Sequence, residues 1–128
     1  MSLPPQLVED LEGLRLEGHD VSGQRDGESP RVFVLFERYV LPPGWSRGDT
    51  RLLLITDISY PNSKLDMFWV AEDVLLAGGK VPQAAEAIES YLGITWRRFS
   101  WHVQKWNPAI DNVCTYLGTV NARLAQLK

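Results

Sequence analysis

The chain has 128 residues, 45% hydrophobic and 23% charged, and its 13 Lys and Arg against 16 Asp and Glu give a formal charge of −3. A chain of this length buries roughly two-thirds of its unfolded surface on folding and needs no disulfide or metal to hold it, so one domain over residues 1–128 is expected. The acidic balance argues against a partner recognised through its phosphates, nucleic acid above all, and the composition is not that of a disordered tail.

The lone cysteine, Cys114, excludes an intrachain disulfide and every multi-cysteine zinc pattern, and two histidines, His19 and His102, exclude a three-histidine centre. No metal and no cofactor is therefore expected. The start Met1-Ser2-Leu3-Pro4-Pro5 lacks the basic and apolar regions of a signal peptide. No apolar run reaches the ~18 residues that span a bilayer, so the expectation is a cytoplasmic protein with no membrane partner.

In chain order, Leu7, Leu11 and Leu14 recur at helical spacing behind Pro4-Pro5 and predict a helix near residues 5–13. A polar stretch with Gly23 and Gly27 follows and leaves room for a short edge strand around Val21. Val32-Phe33-Val34-Leu35-Phe36 predicts a strand reaching Val40, ended by Pro42-Pro43-Gly44-Trp45. The apolar run Leu52-Leu53-Leu54-Ile55 predicts a strand buried on both faces. Tyr60-Pro61-Asn62-Ser63 reads as a turn and Met67-Phe68-Trp69-Val70 as the next strand of an antiparallel meander. After Gly78-Gly79, the stripe Ala85, Ile88, Leu92 before Gly93 predicts a short helix over 82–92. Residues 96–102 carry no clean helical stripe and read as irregular. A last helix over 108–126 is predicted from Ile110, Val113, Leu117, Val120 and Leu124. The fold class expected is α+β, with an antiparallel meander and both terminal helices on one face.

Several landmarks then stand in a familiar order. Leu41-Pro42-Pro43-Gly44 is followed by Tyr60-Pro61, Leu65-Asp66-Met67-Phe68-Trp69, Trp96-Arg97-Arg98-Phe99-Ser100-Trp101-His102, Trp106-x-Pro108 and Asp111. Over roughly residues 32–124 this resembles the ubiquitin-conjugating (UBC-like) superfamily, and within it the bacterial branch called prokaryotic family E. The resemblance implies a UBC-like domain that receives a ubiquitin-like protein from an adenylating activating enzyme, in a bacterial pathway that usually includes a peptidase. The chain departs from the eukaryotic enzymes at the nucleophile. It has no His-Pro-Asn, its cysteine lies downstream of Trp-x-Pro, and the upstream slot holds Ser100 and His102.

Ser100 is accordingly a candidate acyl acceptor, forming an oxyester, which requires a base because a serine hydroxyl is protonated near neutral pH. The bland alternative is a solvated or turn-stabilising serine. His102, two residues on, shares a face with Ser100 in extended backbone and could serve as base or oxyanion donor, or simply bond to nearby backbone. Cys114 is the rival nucleophile and the route to a thioester, but its place beside Val113 and three before Leu117 predicts a buried packing role. Asp66 and Asp111 could orient His102 or activate an incoming amine, or be structural. Arg97 and Arg98 form a basic pair that could steer an acidic partner or lie on a solvated surface. Trp96, Phe99, Trp101 and Trp106 read as one small core pinning this segment. A UBC-like binding module with no covalent step is the remaining alternative.

Overall fold

The computed structural model describes residues 2–102 and 105–128. Helix α1 (Pro5–Leu16) begins with proline, whose missing N–H has no partner at that position anyway, and buries Leu7, Leu11 and Leu14 along one stripe. Burying each leucine is worth about 1.5–3 kcal/mol. The remaining elements are β1 (Val21–Arg25), β2 (Arg31–Val40), β3 (Asp49–Asp57), β4 (Phe68–Ala71), β5 (Ile88–Tyr91), β6 (Ile94–Phe99) and helix α2 (Val113–Leu124). The described strands form one six-stranded sheet in the order β1-β2-β3-β4-β6-β5, with every neighbouring pair antiparallel. The fold is therefore α+β, as expected.

Both faces of the sheet are apolar, which is why the runs of β2 and β3 do not alternate with polar residues. On one face Val32, Val34, Phe36, Leu52, Leu54, Phe68, Val70 and Phe99 pack with the leucines of α1 and with Val113, Tyr116, Leu117, Val120 and Leu124 of α2. On the other, Phe33, Leu53, Trp69 and Trp96 are covered in part by Tyr91, Leu92 and Ile94 of the β5–β6 hairpin. Phe33 of β2 and Tyr91 of β5 meet at 5.7 Å between ring centroids. In a flat sheet, strands four places apart would lie about 19 Å apart at ~4.8 Å per strand, so the sheet curls strongly over this second face.

Three sequence expectations need correction. Residues 82–92 form no helix. Residues 83–84 make a turn, and Ile88–Tyr91 is the edge strand β5, hairpin-paired to β6. The two-residue turn requires left-handed backbone at both positions, and Leu92 (φ 57°) and Gly93 (φ 73°) supply it. Ala85 is buried but Ile88 is 44% exposed, so the apparent stripe is a coincidence of spacing. Of the segment 96–102 expected to be irregular, residues 96–99 are strand: β6 runs to Phe99 between β4 and β5. The last helix begins at Val113 and not at Pro108, because Asn112 caps it with its side chain on the Thr115 N–H while Pro108 to Ile110 turn outside it. Ile110 is 68% exposed rather than buried. Val103 and Gln104 lie outside the described residues.

Candidate functional site

Ser100 follows the last residue of β6 at the centre of a three-residue turn, in which the Trp101 N–H donates to the Phe99 carbonyl at 2.8 Å. Its own N–H donates to the Ala84 carbonyl at 2.8 Å. The residue is half-buried and not sealed in the core. Its Oγ accepts a hydrogen bond from Arg98 Nε at 3.1 Å, and Arg98 in turn donates from Nη1 to Glu89 Oε2 at 2.8 Å.

Beside this turn the chain of residues 66–67 lies against that of 101–102. The Met67 N–H donates to the Trp101 carbonyl at 3.0 Å, and the Tyr116 hydroxyl of α2 donates to the Met67 carbonyl at 2.6 Å. This juxtaposition brings the exposed imidazole of His102 to Asp66, with Nδ1 at 2.9 Å from Oδ2. With the Nδ1 proton held by the carboxylate, Nε2 carries the lone pair, which is the tautomer a general base needs. Among the described residues no hydrogen bond links Ser100 Oγ to His102. The regular alternation of β6 ends at Phe99, so the shared face expected from the i, i+2 spacing is not a contact here.

The other candidates separate. Asp111 does not reach His102; it accepts from the Asn107 N–H at 2.8 Å and from Thr115 Oγ1 at 3.3 Å, which ties the turn before α2 to its first turn. Cys114 is exposed, contrary to the packing role expected, because the buried stripe of α2 is Val113, Tyr116, Leu117, Val120, Arg123 and Leu124. Partial burial, then Glu17 and Asp10, raise its thiol above the ordinary value, so little thiolate forms near neutral pH despite the helix N-terminus. Arg97 is buried, and its guanidinium donates to the carbonyls of Glu72 and Ala85; it ties the β4–β5 crossover to β6 and is not part of a surface basic pair. The four aromatic residues do not form one cluster. Trp96 belongs to the second face, whereas Phe99 lies in the helix-side core with Trp101 and Trp106 against it.

The landmarks Tyr60-Pro61 and Trp106 meet physically: Trp106 Nε1 donates to the Pro61 carbonyl at 2.8 Å across a cis Tyr60-Pro61 turn. Tyr60 reaches further, donating to Asp10 Oδ2 at 2.6 Å and accepting from the Val113 N–H at 2.9 Å. Arg123, fully buried on α2, lies 5.1 Å from the ring centroids of both Phe99 and Trp101 and donates from Nη2 to the Gln83 carbonyl at 2.8 Å. Its Nε and Nη1 have no hydrogen-bond partner among the described residues, and the two ring faces are their near neighbours. The residues that brace Ser100 from both sides are thus held by α2.

Sequence reasoning missed Arg98 and Glu89 as companions of Ser100. The usable signal was the i, i+2 alternation running back from Ser100 to Arg98, which applies once residues 94–99 are read as a strand. Among the described residues no group of three or more His, Cys, Asp or Glu side chains is placed to hold a metal ion, and no helix is long and apolar enough to cross a membrane.

No curated protein and no solved structure matches the chain. The model of the prokaryotic E2 family E matches residues 7–127. The match covers nearly the whole chain and agrees with the α+β architecture and the joined Tyr-Pro and Trp-x-Pro landmarks, so the chain belongs to the prokaryotic E2 family E, an E2-like family whose general role is to carry a ubiquitin-like protein delivered by an activating enzyme.

Proposed function

We propose that the chain carries the C-terminal acyl group of a ubiquitin-like protein as an oxyester on Ser100, with His102 as general base and Asp66 as the residue that orients it. The observation that supports this reading is the 2.9 Å pair between His102 and Asp66 beside the turn centred on Ser100. In the loading step Ser100 Oγ attacks the activated carbonyl carbon, an acyl adenylate or thioester presented by the activating enzyme. The new C–O bond forms, the bond to the adenylate or thiolate breaks, and the hydroxyl proton passes to His102 Nε2, directly or through one water. Because Arg98 donates to Oγ, the O–H itself remains available to be given to the base. In the second step an amine or water attacks the ester carbon, and the electron pair of the broken C–O bond returns to Ser100 with the proton from His102. We place this reaction in the bacterial cytoplasm, with an adenylating activating enzyme as donor and a pathway peptidase as companion.

The test is a loading reaction with the activating enzyme, ATP and the ubiquitin-like protein, resolved on gels with reductant and with mild alkali. The expected adduct survives reductant, is lost in alkali, disappears in Ser100→Ala and is strongly reduced in His102→Ala. An adduct that persists in Ser100→Ala and is lost in Cys114→Ser refutes the reading. So does the absence of any adduct when the activating enzyme is shown independently to form its adenylate.

A further inference from the structure

We propose that Arg98 is a further catalytic residue of this site, stabilising the charge on the Ser100 oxygen when the ester bond breaks, and that Glu89 is its positioning residue. The inference rests on the reading of Ser100 as acyl acceptor.

Release is the demanding half of the reaction. When an amine attacks the ester carbon, a C–N bond forms, the C–Oγ bond breaks and its electron pair goes to Oγ. An alkoxide is a poor leaving group, far poorer than a thiolate, so a serine carrier needs help at that oxygen which a cysteine carrier does not. His102 can return a proton. A fixed cation that already donates a hydrogen bond to the same atom lowers the energy of the developing negative charge before the proton arrives.

The geometry assigns that task to one residue. Arg98 Nε lies 3.1 Å from Ser100 Oγ, whereas its neighbour Arg97 has its guanidinium taken up by backbone carbonyls of the β4–β5 crossover. Arg98 is also held where it is. Glu89 Oε2 accepts from Arg98 Nη1 at 2.8 Å, while Oε1 accepts from Trp69 Nε1 at 2.7 Å and from the Tyr91 hydroxyl at 3.4 Å. With both carboxylate oxygens engaged, Glu89 cannot swing away. Arg98 and Glu89 are each about two-thirds shielded from solvent, so their pairing is screened less than that of a surface ion pair. A guanidinium anchored at one nitrogen and aimed by another at the reacting oxygen is an arrangement lysine cannot copy in full.

The experiment separates loading from release. Wild-type protein and the variants Arg98→Ala, Arg98→Lys and Glu89→Gln are loaded, freed of the activating enzyme and nucleotide, and discharged with hydroxylamine, with circular dichroism confirming the fold of each. Arg98→Ala is expected to load but to discharge roughly 10²-fold more slowly, the order of effect of losing one preorganised donor. Arg98→Lys should recover part of the loss, and Glu89→Gln should slow discharge less than Arg98→Ala. Millimolar guanidinium chloride should speed discharge of the Arg98→Ala ester and leave the wild-type rate unchanged, which a purely structural role would not produce. Loading on Ser100 with equal discharge rates in wild type and Arg98→Ala overturns this inference and leaves the ester reading standing. Unfolding of Arg98→Ala moves the decision to Arg98→Lys and Glu89→Gln, and wild-type discharge rates in both overturn it. Failure of the wild type to load Ser100 overturns both.

Discussion

Tyr60 is the residue on which the two helices depend together, and removing its hydroxyl gives a quantitative test of the fold. In Tyr60→Phe the ring stays in the core and two hydrogen bonds vanish. The first, to the Asp10 carboxylate on α1, is a bond to a charged group and contributes about 1.5–3 kcal/mol. The second serves the N–H of Val113, the first residue of α2, which is fully buried and which the Asn112 cap does not reach because that cap serves Thr115. An N–H left buried without a partner costs about 1–3 kcal/mol. Asp10 keeps its bond from Gln6 and can recover water, which lowers the first figure, so the expected net loss is about 2–4 kcal/mol. With a urea m-value of about 2 kcal/mol/M, the middle of the range for a small protein, the midpoint should fall by roughly 1–2 M, followed by the fluorescence of the five tryptophans. Asp10→Asn should cost less, and the double variant should show coupling of about 1 kcal/mol or more. A loss under about 0.7 kcal/mol in Tyr60→Phe refutes the bridging role.

All four tyrosines, Tyr39, Tyr60, Tyr91 and Tyr116, have phenol pKa values raised above 10.0, in each case first by burial. The folded phenols hold their protons more tightly than unfolded ones, so this contribution to stability is complete below pH 10 and is lost as pH rises above it, at about 1.4 kcal/mol per pH unit for each buried phenol. Ultraviolet titration should therefore place all four phenols of the folded protein above pH 10, with Tyr60 and Tyr116 furthest, and four phenols titrating at pH 10 in folded protein would contradict it. For Cys114, alkylation by iodoacetamide should be slower at pH 8 than for a free thiol despite its exposure, and Glu17→Gln should shift the pH–rate midpoint downward. A midpoint at or below that of glutathione would contradict the upward shift that burial and then the two carboxylates produce, and an unchanged midpoint in Glu17→Gln would remove that carboxylate as a cause.

What the sequence revealed depended on which rule the local chain obeys. Leu7, Leu11 and Leu14 gave α1, and the β-branched and leucine runs gave β2 and β3, because one apolar pattern governs each of them and tertiary packing agrees with it. The stripe Ala85, Ile88, Leu92 obeyed helical spacing too, but pairing with β6 and a left-handed Leu92 prevailed over it. That error hid the strand character of 94–99, and with it the alternation that joins Arg98 to Ser100. Cys114 was misplaced because a three-residue step to Leu117 suits a buried stripe, yet the residue lies one position past Val113 and so turns about 100° away from it. The approach of Asp66 to His102, 36 positions apart, had no local signal beyond the resemblance, since it depends on how two loops are laid side by side.

Arg123 has a consequence for how this strand end can vary. Its guanidinium is stacked against the two aromatic neighbours of Ser100 and bonded to a carbonyl of the segment that receives the Ser100 N–H. Lysine at 123 could keep a positive charge but not a flat surface for two rings, and a hydrocarbon could fill the space but leave the Gln83 carbonyl unanswered. The terminal helix and the backbone turn that carries the alcohol are therefore tied to each other through one planar group, so a shift of either is felt by the other.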